Sequence, residues 1–581
     1  MWNTSSMMKP TLNNLTHWVV GAGPLVRQMA DEIGLIALVN RMLTWDPVRT
    51  KVSPGERIFA MVLDILLGHS PLYRVEDRLA STDVPLLLGE GRIAEDFSDD
   101  SLGRALDKLY DAGPKAVFTA LGAQAFAHEA LTTRSVHWDS TSRTLYGAYP
   151  GTPPKPAAVS AKEDPNAVLQ PPPAVPRYGH SKDHRPDLKQ LILSVLVTGD
   201  GVIYQGSVDA GNASDKALNR RAIADLAAAF SPEAMADLVY VADSSLVTAD
   251  NLAALRQQGL AFISRCPETY GAVRTAKTAA WAADQWDALG TIALRRNAAQ
   301  YWASEQSGEI EGEPYRFIVY RSSGLDAQKV KTLDRAIANA RETLTRAAVQ
   351  LSQQTFHCEH DAETAAAAFR KRPDYRWFPQ SAVDITSRVE RVSTGRGRPR
   401  KDAPTQTVWT VTATVGAVDD GRRQAEQQRR STFVLITTLP PESWTAESVL
   451  REYKDQVLCE RKFHFLKDPL FLDALFLDTP ERLEALGYVI LMAALLYSLL
   501  ERRLRQNPNP IPSPVRRGLT RPTAHELFRH LAPVQTHLQP DGTRGVSLPE
   551  RLHASFVAFL DALHLDERCY THPPRSHVPS G

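Results

Sequence analysis

Tyr453, Gln456, Glu460 and Lys467 follow one another at intervals of 3, 4 and 7 residues. At about 100° per residue, the last three lie at roughly −60°, −20° and −40° from the first, so all four share one stripe of a helix. That helix is expected from about Ala446 to Leu466, with Leu458 and Phe465 on its far side. A hydroxyl, an amide, an acid and a cation in line could meet metal and phosphate together; the same stripe could also be a solvated face with ordinary charge pairs. Two aspartates sit in apolar, strand-like runs: Asp139 in Ser-Val-His-Trp-Asp-Ser-Thr and Asp243 closing Leu-Val-Tyr-Val-Ala-Asp-Ser-Ser. A carboxylate at the end of a buried strand is rigid on one side and solvated on the other, which suits a metal ligand. Asp is also a common turn-former and helix N-cap at such ends, and Asp243 before Ser244 fits that role equally.

Basic segments point toward polyanions. Gly395-Arg396-Gly397-Arg398-Pro399-Arg400-Lys401 is a compact run in which Gly and Pro favour an extended chain. Its Arg-Gly-Arg-Pro centre is similar to the short hooks with which chromatin proteins enter a narrow minor groove. A solvated loop would read the same way. Residues 501–530 hold seven Arg against two Glu, an excess that could track phosphates or simply face water. His357, Cys358 and His360 are metal-ligand types without a second pair at finger spacing, and are read as incidental. No Walker loop, GxGxxG or nucleophile elbow is present, which removes the usual nucleotide, dinucleotide and acyl-transfer chemistries.

The elements that must position these residues follow from patterning. Residues 14–130 read as helical, with apolar residues at helical spacing over Arg57–Leu67 and Leu102–Ala112, the latter with Ser101 as expected N-cap. Strands are expected at Ser135–Tyr146, Leu191–Val197, Val202–Val208, Leu238–Ala242 and Gly259–Ser264, with helices at Asp215–Phe230 and Ser245–Gln258. Hairpin-like strands followed by strand–helix–strand alternation imply an α/β layer with a mixed sheet. Pro150–Pro176, with seven further prolines between, is a loop. From Cys266 to Arg430 the pattern is that of an inserted domain, with a helical run at Ala327–Arg370 and a strand at Thr407–Val415. A strand at Thr432–Thr438 returns to helical sequence up to Arg505, and the tail has helical stretches at Ala524–Leu531 and Leu552–Leu563.

Composition bounds the class. With 67 Lys+Arg against 66 Asp+Glu and 43% apolar residues, the chain reads as a globular protein and not a polycation. Its 4 cysteines form no framework, which fits a reducing cytoplasm. Residues 1–13 lack the basic end and apolar run of a signal peptide. Ala485–Leu500 is uncharged over sixteen residues, short of the roughly 20 that span a bilayer, and is expected to be a buried core helix.

Tyr453-x2-Gln456-x3-Glu460-x6-Lys467 closely resembles the Y-(2)-R-(3)-E-(6)-K motif of one branch of bacterial insertion-sequence transposases, with Gln456 in place of Arg. Asp139, Asp243 and Glu460 match the order of that branch's three catalytic acids. The N-terminal region, the Gly179-His180-Ser181-Lys182-Asp183 segment and the Arg-Gly-Arg-Pro insertion resemble the group typified by insertion sequence 1634, over most of residues 14–505. The resemblance implies a ribonuclease-H-like core interrupted by a large inserted domain. The parts would be a flexible N-terminus (1–13), a helical domain (14–130), a first core part (131–265), the insertion (266–430), a second core part (431–505) and a C-terminal tail (506–581). It implies that Asp139, Asp243 and Glu460 hold two Mg²⁺ ions, with Mn²⁺ as a substitute, roughly 3.5–4 Å apart for in-line phosphoryl transfer on DNA. Tyr453, Gln456 and Lys467 would contact DNA ends, Arg396, Arg398 and Arg400 would add affinity, and Trp444 would stack on an extruded base. The implied function is metal-dependent cleavage at element ends and strand transfer into target DNA by a bacterial cytoplasmic enzyme. The implied partners are double-stranded DNA and a second copy in a synaptic dimer, without a membrane. A ribonuclease-H-like nuclease that does not join strands, or a catalytically inactive DNA-binding protein, are the alternatives. Asp209 and Asp183 are the nearest substitutes for Asp139.

Overall fold

A computed structural model describes residues 16–68, 70–146, 149, 172–182, 185–293, 297–392, 401–457, 477, 479–513 and 518–574. The chain forms two compact units, one from residues up to Ser264 together with Glu452 onward, the other from Arg265 to Arg451.

In the first unit, the helices Pro54–Gly68, Asp99–Asp111 and Pro114–His128 follow the apolar periodicity of their sequences. Pro54–Gly68 starts on a capping box: Ser53 Oγ accepts from the Glu56 N–H (3.2 Å) while Glu56 Oε2 accepts from the Ser53 N–H (2.7 Å). Ser101, expected as an N-cap, instead lies inside its helix, where its hydroxyl donates to the Asp96 and Ser98 carbonyls; the acidic pair Asp99–Asp100 opens the helix two residues earlier. The N-terminal region is not helical throughout. His17–Val19 forms strand β1, which pairs antiparallel with a strand at Gln535–Leu538.

The sheet of this unit contains β2 (Ser135–Leu145), β3 (Lys189–Thr198), β4 (Ile203–Ala210), β5 (Val239–Ala242) and β6 (Ala261–Arg265), in the order β4-β3-β2-β5-β6. The β4-β3-β2 meander is antiparallel, whereas β2, β5 and β6 are parallel. Helices Asp215–Ala229 and Ala249–Gln257, capped by Ser214 and Thr248, make the crossovers that parallel pairing requires. Pro480–Gln506 is long and apolar enough to cross a membrane, yet nearly all of its apolar stretch is buried. It packs on Pro54–Gly68 and Asp99–Asp111 as well as on β4, so helices and sheet share one continuous core. Close approach requires glycine there: a Cβ on Gly487 would stand 2.7 Å from Val208 Cγ2, and one on Gly122 would stand 2.3 Å from the Tyr204 carbonyl oxygen.

The second unit has a four-stranded antiparallel sheet of β7 (Asp287–Thr291), β8 (Gln300–Ile310), β9 (Glu313–Ser322) and β12 (Thr432–Thr437), in the order β12-β9-β8-β7. The helical run expected over Ala327–Arg370 is two helices, Ser323–Ser352 and Glu359–Arg370. Leu333, Ile337, Ala340, Leu344, Ala348 and Leu351 recur at three- and four-residue spacing and bury one face of the first. Cys358 caps the second, its Sγ accepting from the Asp361 N–H, which fits the incidental reading of the His-Cys-His cluster. A ribbon of β10 (Ala382–Arg391) and β11 (Thr405–Thr414) pairs antiparallel from Ala382↔Thr414 to Arg391↔Thr405. Arg396, Arg398 and Arg400 belong to the connection between these strands and lie outside the described residues.

In the tail, helices Ala524–Leu531 and His553–Leu563 flank a hairpin of β13 (Gln535–Leu538) and β14 (Arg544–Ser547), in addition to the helical stretches expected there.

Candidate active site

β2 pairs with β5 through Ser135↔Val239, Val136↔Tyr240 and His137↔Val241. Continued by two residues, that register sets Asp139 beside Asp243. Asp139 thus sits where β2 outruns its parallel neighbour, half-buried against β3 at Val195. Such an edge keeps the carboxylate rigid yet reachable. Asp243 caps the short 3₁₀ turn Ser244–Leu246: its Oδ1 accepts from the Ser245 N–H (2.9 Å) and Ser245 Oγ (2.5 Å). A relay behind it is fixed by Asn219, which accepts from the buried Tyr240 hydroxyl (2.9 Å) and donates to Ser245 Oγ (3.1 Å). Asp243 therefore fills the capping role that its place before Ser244 suggests.

Two residues not assigned a role from sequence complete the cluster. Asp215, first residue of its helix, accepts from Ser140 Oγ (2.6 Å). The Lys182 ammonium donates to the Ser140 carbonyl (2.6 Å) and lies 3.8 Å from Asp139 Oδ1 and 3.7 Å from Asp215 Oδ2. Burial pushes the Asp139 carboxyl up, opposed by the Lys182 charge and the Ser140 N–H and reinforced by the Asp243 and Asp215 charges, to about 6. One ammonium does not balance three acids, and a further cation would relieve the imbalance. Oxygen donors alone are hard ligands of the kind Mg²⁺ and Mn²⁺ take. Among the described residues, no group of three or more His, Cys, Asp or Glu is arranged to hold a metal.

Glu452, in the last turn of the helix Ala446–Asp455, and Gln456 just after it contact the same strand. Fully buried His137, on the Asp139 face of β2, meets Glu452 Oε1 through Nε2 at 2.9 Å. Burial pushes the Glu452 carboxyl up, but hydrogen bonds from His137 and Ser135 outweigh it and hold the group below its ordinary value. Gln456 Nε2 donates to the Trp138 carbonyl at 3.4 Å, so this stripe residue reaches β2 one residue from Asp139. Tyr453 lies half-buried on the same helix. Glu460 and Lys467 lie outside the described residues, as does Asp183. Trp444 is 7% exposed, so its ring presents no open face to a base; its carbonyl accepts from Arg316 Nη1 at 2.7 Å. Asp209, the other substitute for Asp139, is buried and engaged by Arg221 (2.6 Å) and Ser207 (2.6 Å).

The signal for Lys182 was present in the sequence within Gly179–Asp183. Asp215 read only as a helix start, because nothing local distinguishes an acid that faces a strand from one that faces water.

Fold and site together define a mixed α/β protein with a carboxylate pair at the point where an antiparallel meander meets parallel strands. Residues 17–123, less than a fifth of the chain, match the family described as a domain of unknown function, DUF4277. Among curated proteins no sequence matches the chain.

Proposed function

We propose that this chain is a DDE-class DNA transposase with a ribonuclease-H-like core, which cuts DNA at the ends of an insertion sequence and joins the 3′-hydroxyl to target DNA. The observation that carries the reading is the closeness of Asp139, on β2, to Asp243, the residue just past the end of the neighbouring parallel strand β5. The strand order β4-β3-β2-β5-β6, antiparallel and then parallel, supports a ribonuclease-H-like core. The match to DUF4277 leaves this reading open without adding to it.

Asp139 and Asp243, with Glu460 as the third acid, would hold the divalent ions. When bound, those ions supply activation of the attacking oxygen and charge stabilisation of the leaving one. The chain's own residues set the stage. Asp243 is oriented by Ser245 and, through Ser245, by Asn219, while burial and the acidic neighbours of Asp139 raise its carboxyl against the opposing Lys182 charge. Lys182 holds Asp139 near Asp215 by charge. His137 and Gln456 fasten the helix that leads toward Glu460 onto β2. Tyr453 and Lys467 would meet the DNA end, and Gln456 retains hydrogen-bonding capacity without the cation usual at its position. Synapsis of two ends would call for a second copy of the chain.

Incubation with the element's own ends and Mg²⁺, with nicked and joined products resolved, tests the proposal. Joined products are expected. Cleavage without joining would leave a nuclease, and binding without cleavage an inactive DNA-binding protein.

A further inference from the structure

Three elements of the second unit converge on a groove of about 830 Å³: the helix Gly271–Ala283, the 3₁₀ turn Pro373–Trp377 and the helix Asp420–Ser431. Five cationic side chains and two carboxylates line it, a local excess of three positive charges. Both carboxylates are already engaged. Glu426 accepts from Arg429 (2.8 Å) and Arg430 (2.6 Å), and Glu268 meets the buried Lys277 ammonium at 2.5 Å. Lys277 also donates to the Thr432 carbonyl (2.7 Å), so this pair forms the floor of the groove. The rim is different. Arg274, Arg376 and Arg422 are exposed, and each stands on a different one of the three elements. For Arg422 the partner Asp419 stands at 3.9 Å, and Arg376 lies over the Trp377 ring at 5.1 Å.

The aromatic walls do not stack on bases. Trp281 carries the Arg321 guanidinium at 5.3 Å and meets Trp286 edge-on at 5.0 Å, and Trp377 is 5% exposed. A ligand here is therefore read by charge and not by base. Arginines converging from three elements match a row of phosphates better than one small anion.

We propose that this groove seats the phosphodiester backbone of duplex DNA without regard to sequence, through Arg274, Arg376 and Arg422. The proposal rests on the reading of the chain as a DNA-processing enzyme and adds a binding surface apart from the acids and from the Arg-Gly-Arg-Pro segment. The test uses the full chain and two duplexes, one bearing the element end and one of random sequence, titrated over a range of KCl. The triple variant Arg274→Ala, Arg376→Ala, Arg422→Ala is expected to bind both duplexes more weakly. Its log–log salt slope should flatten by up to about 2.7, at roughly 0.9 per phosphate contact. The triple lysine variant should restore most of that slope, which a merely misfolded protein would not do. Lys331→Ala, Arg335→Ala, Arg346→Ala removes equal charge from the exposed face of another helix and should change the slope little. An unchanged slope in the groove variant, or an equal loss in the control, overturns the groove. Loss confined to the element end overturns sequence-independence. A wild-type chain that binds neither duplex sinks the functional reading itself, whereas wild-type binding with a silent groove leaves that reading standing.

Discussion

Asp139 is destabilising where it stands, and that is measurable. Its folded pKa, raised to about 6 from an ordinary 3.8 by burial first, favours the neutral form. The stability this contributes is fully present below the unfolded value and is lost as pH rises through the folded one. In chelator, Asp139→Asn should therefore melt higher than wild type at pH 7.5, with the gain fading toward pH 4. The ceiling is about 3 kcal/mol, from roughly 1.4 kcal/mol per pKa unit, reduced by the partial exposure of the side chain. Melts of both proteins from pH 4 to 7.5 check it; equal melting at pH 7.5 would remove the strained carboxylate. The same swap, with Asp243→Asn and Glu460→Gln, should abolish Mg²⁺-dependent cleavage while end binding persists in gel-shift assays. Full cleavage by any one of them would falsify that residue's role. Asp243→Asn keeps the acceptor that caps Ser244–Leu246, whereas Asp243→Ala should cost about 1 kcal/mol more in melts. Asp139 and Asp243 were legible as candidates because their apolar flanks announce strands. Asp215 was not, since its contacts with Ser140 and Lys182 are across the fold and leave no periodic trace.

At the scale of elements, the helix Ala446–Asp455 depends on a buried pair. Glu452→Ala leaves His137, fully buried, without this acceptor, which should cost about 1–3 kcal/mol. Cleavage should slow beyond what DNA affinity explains, because the helix leading to Glu460 loses its tie to β2. Thermal melts and single-turnover rates at saturating DNA decide this; an unchanged rate would make the pair purely structural. Gly122→Ala tests the contact between Pro114–His128 and β4. The added methyl meets backbone and not a movable side chain, so a loss of about 1–3 kcal/mol in denaturant melts is expected. Helices and core strands of the first unit were read to within a few residues because their sequences are sustained apolar runs, with β3 and β5 buried on both faces and Pro54–Gly68 on most of its surface. In the second unit the two helices over 323–370 and strands β11 and β12 match their sequence patterns, whereas β7 to β10 carry no clear pattern. β8 and β9 carry Glu305, Glu309, Glu313 and Arg316 among their apolar residues, and their turn is Glu311–Gly312, where a non-glycine holds φ at 52°. That turn lacks the Asn-Gly signature that marks a tight hairpin. β13 pairs on one side with β1 from far along the chain, which leaves no local trace, although its hairpin with β14 turns at Pro540-Asp541-Gly542, a local signal.

Across the whole molecule, two compact units with separate clusters of buried residues should not unfold as one. Scanning calorimetry is expected to resolve two transitions, the smaller from Arg265–Arg451; a single transition with matching calorimetric and van't Hoff enthalpies would contradict this. Within the first unit the opposite holds, since its first and last described elements complete each other. The Val20 and Gly21 N–H groups both donate to the Val534 carbonyl (3.1 Å each), and the buried Tyr570 hydroxyl donates to the Gly21 carbonyl (2.9 Å). Fully buried Asp83 takes Arg544 Nε at 2.9 Å. On the ribosome, Gly21 emerges long before Tyr570. At about 5–20 residues per second, the first segment waits roughly half a minute to two minutes for the partner that closes its backbone hydrogen bonds. During that interval the helices around Pro54–Gly68 also lack Pro480–Gln506 to bury their apolar faces. Synthesis therefore leaves the segment around Gly21 waiting for residues made hundreds of positions later, and a chain truncated before Val534 would strip that segment of its support.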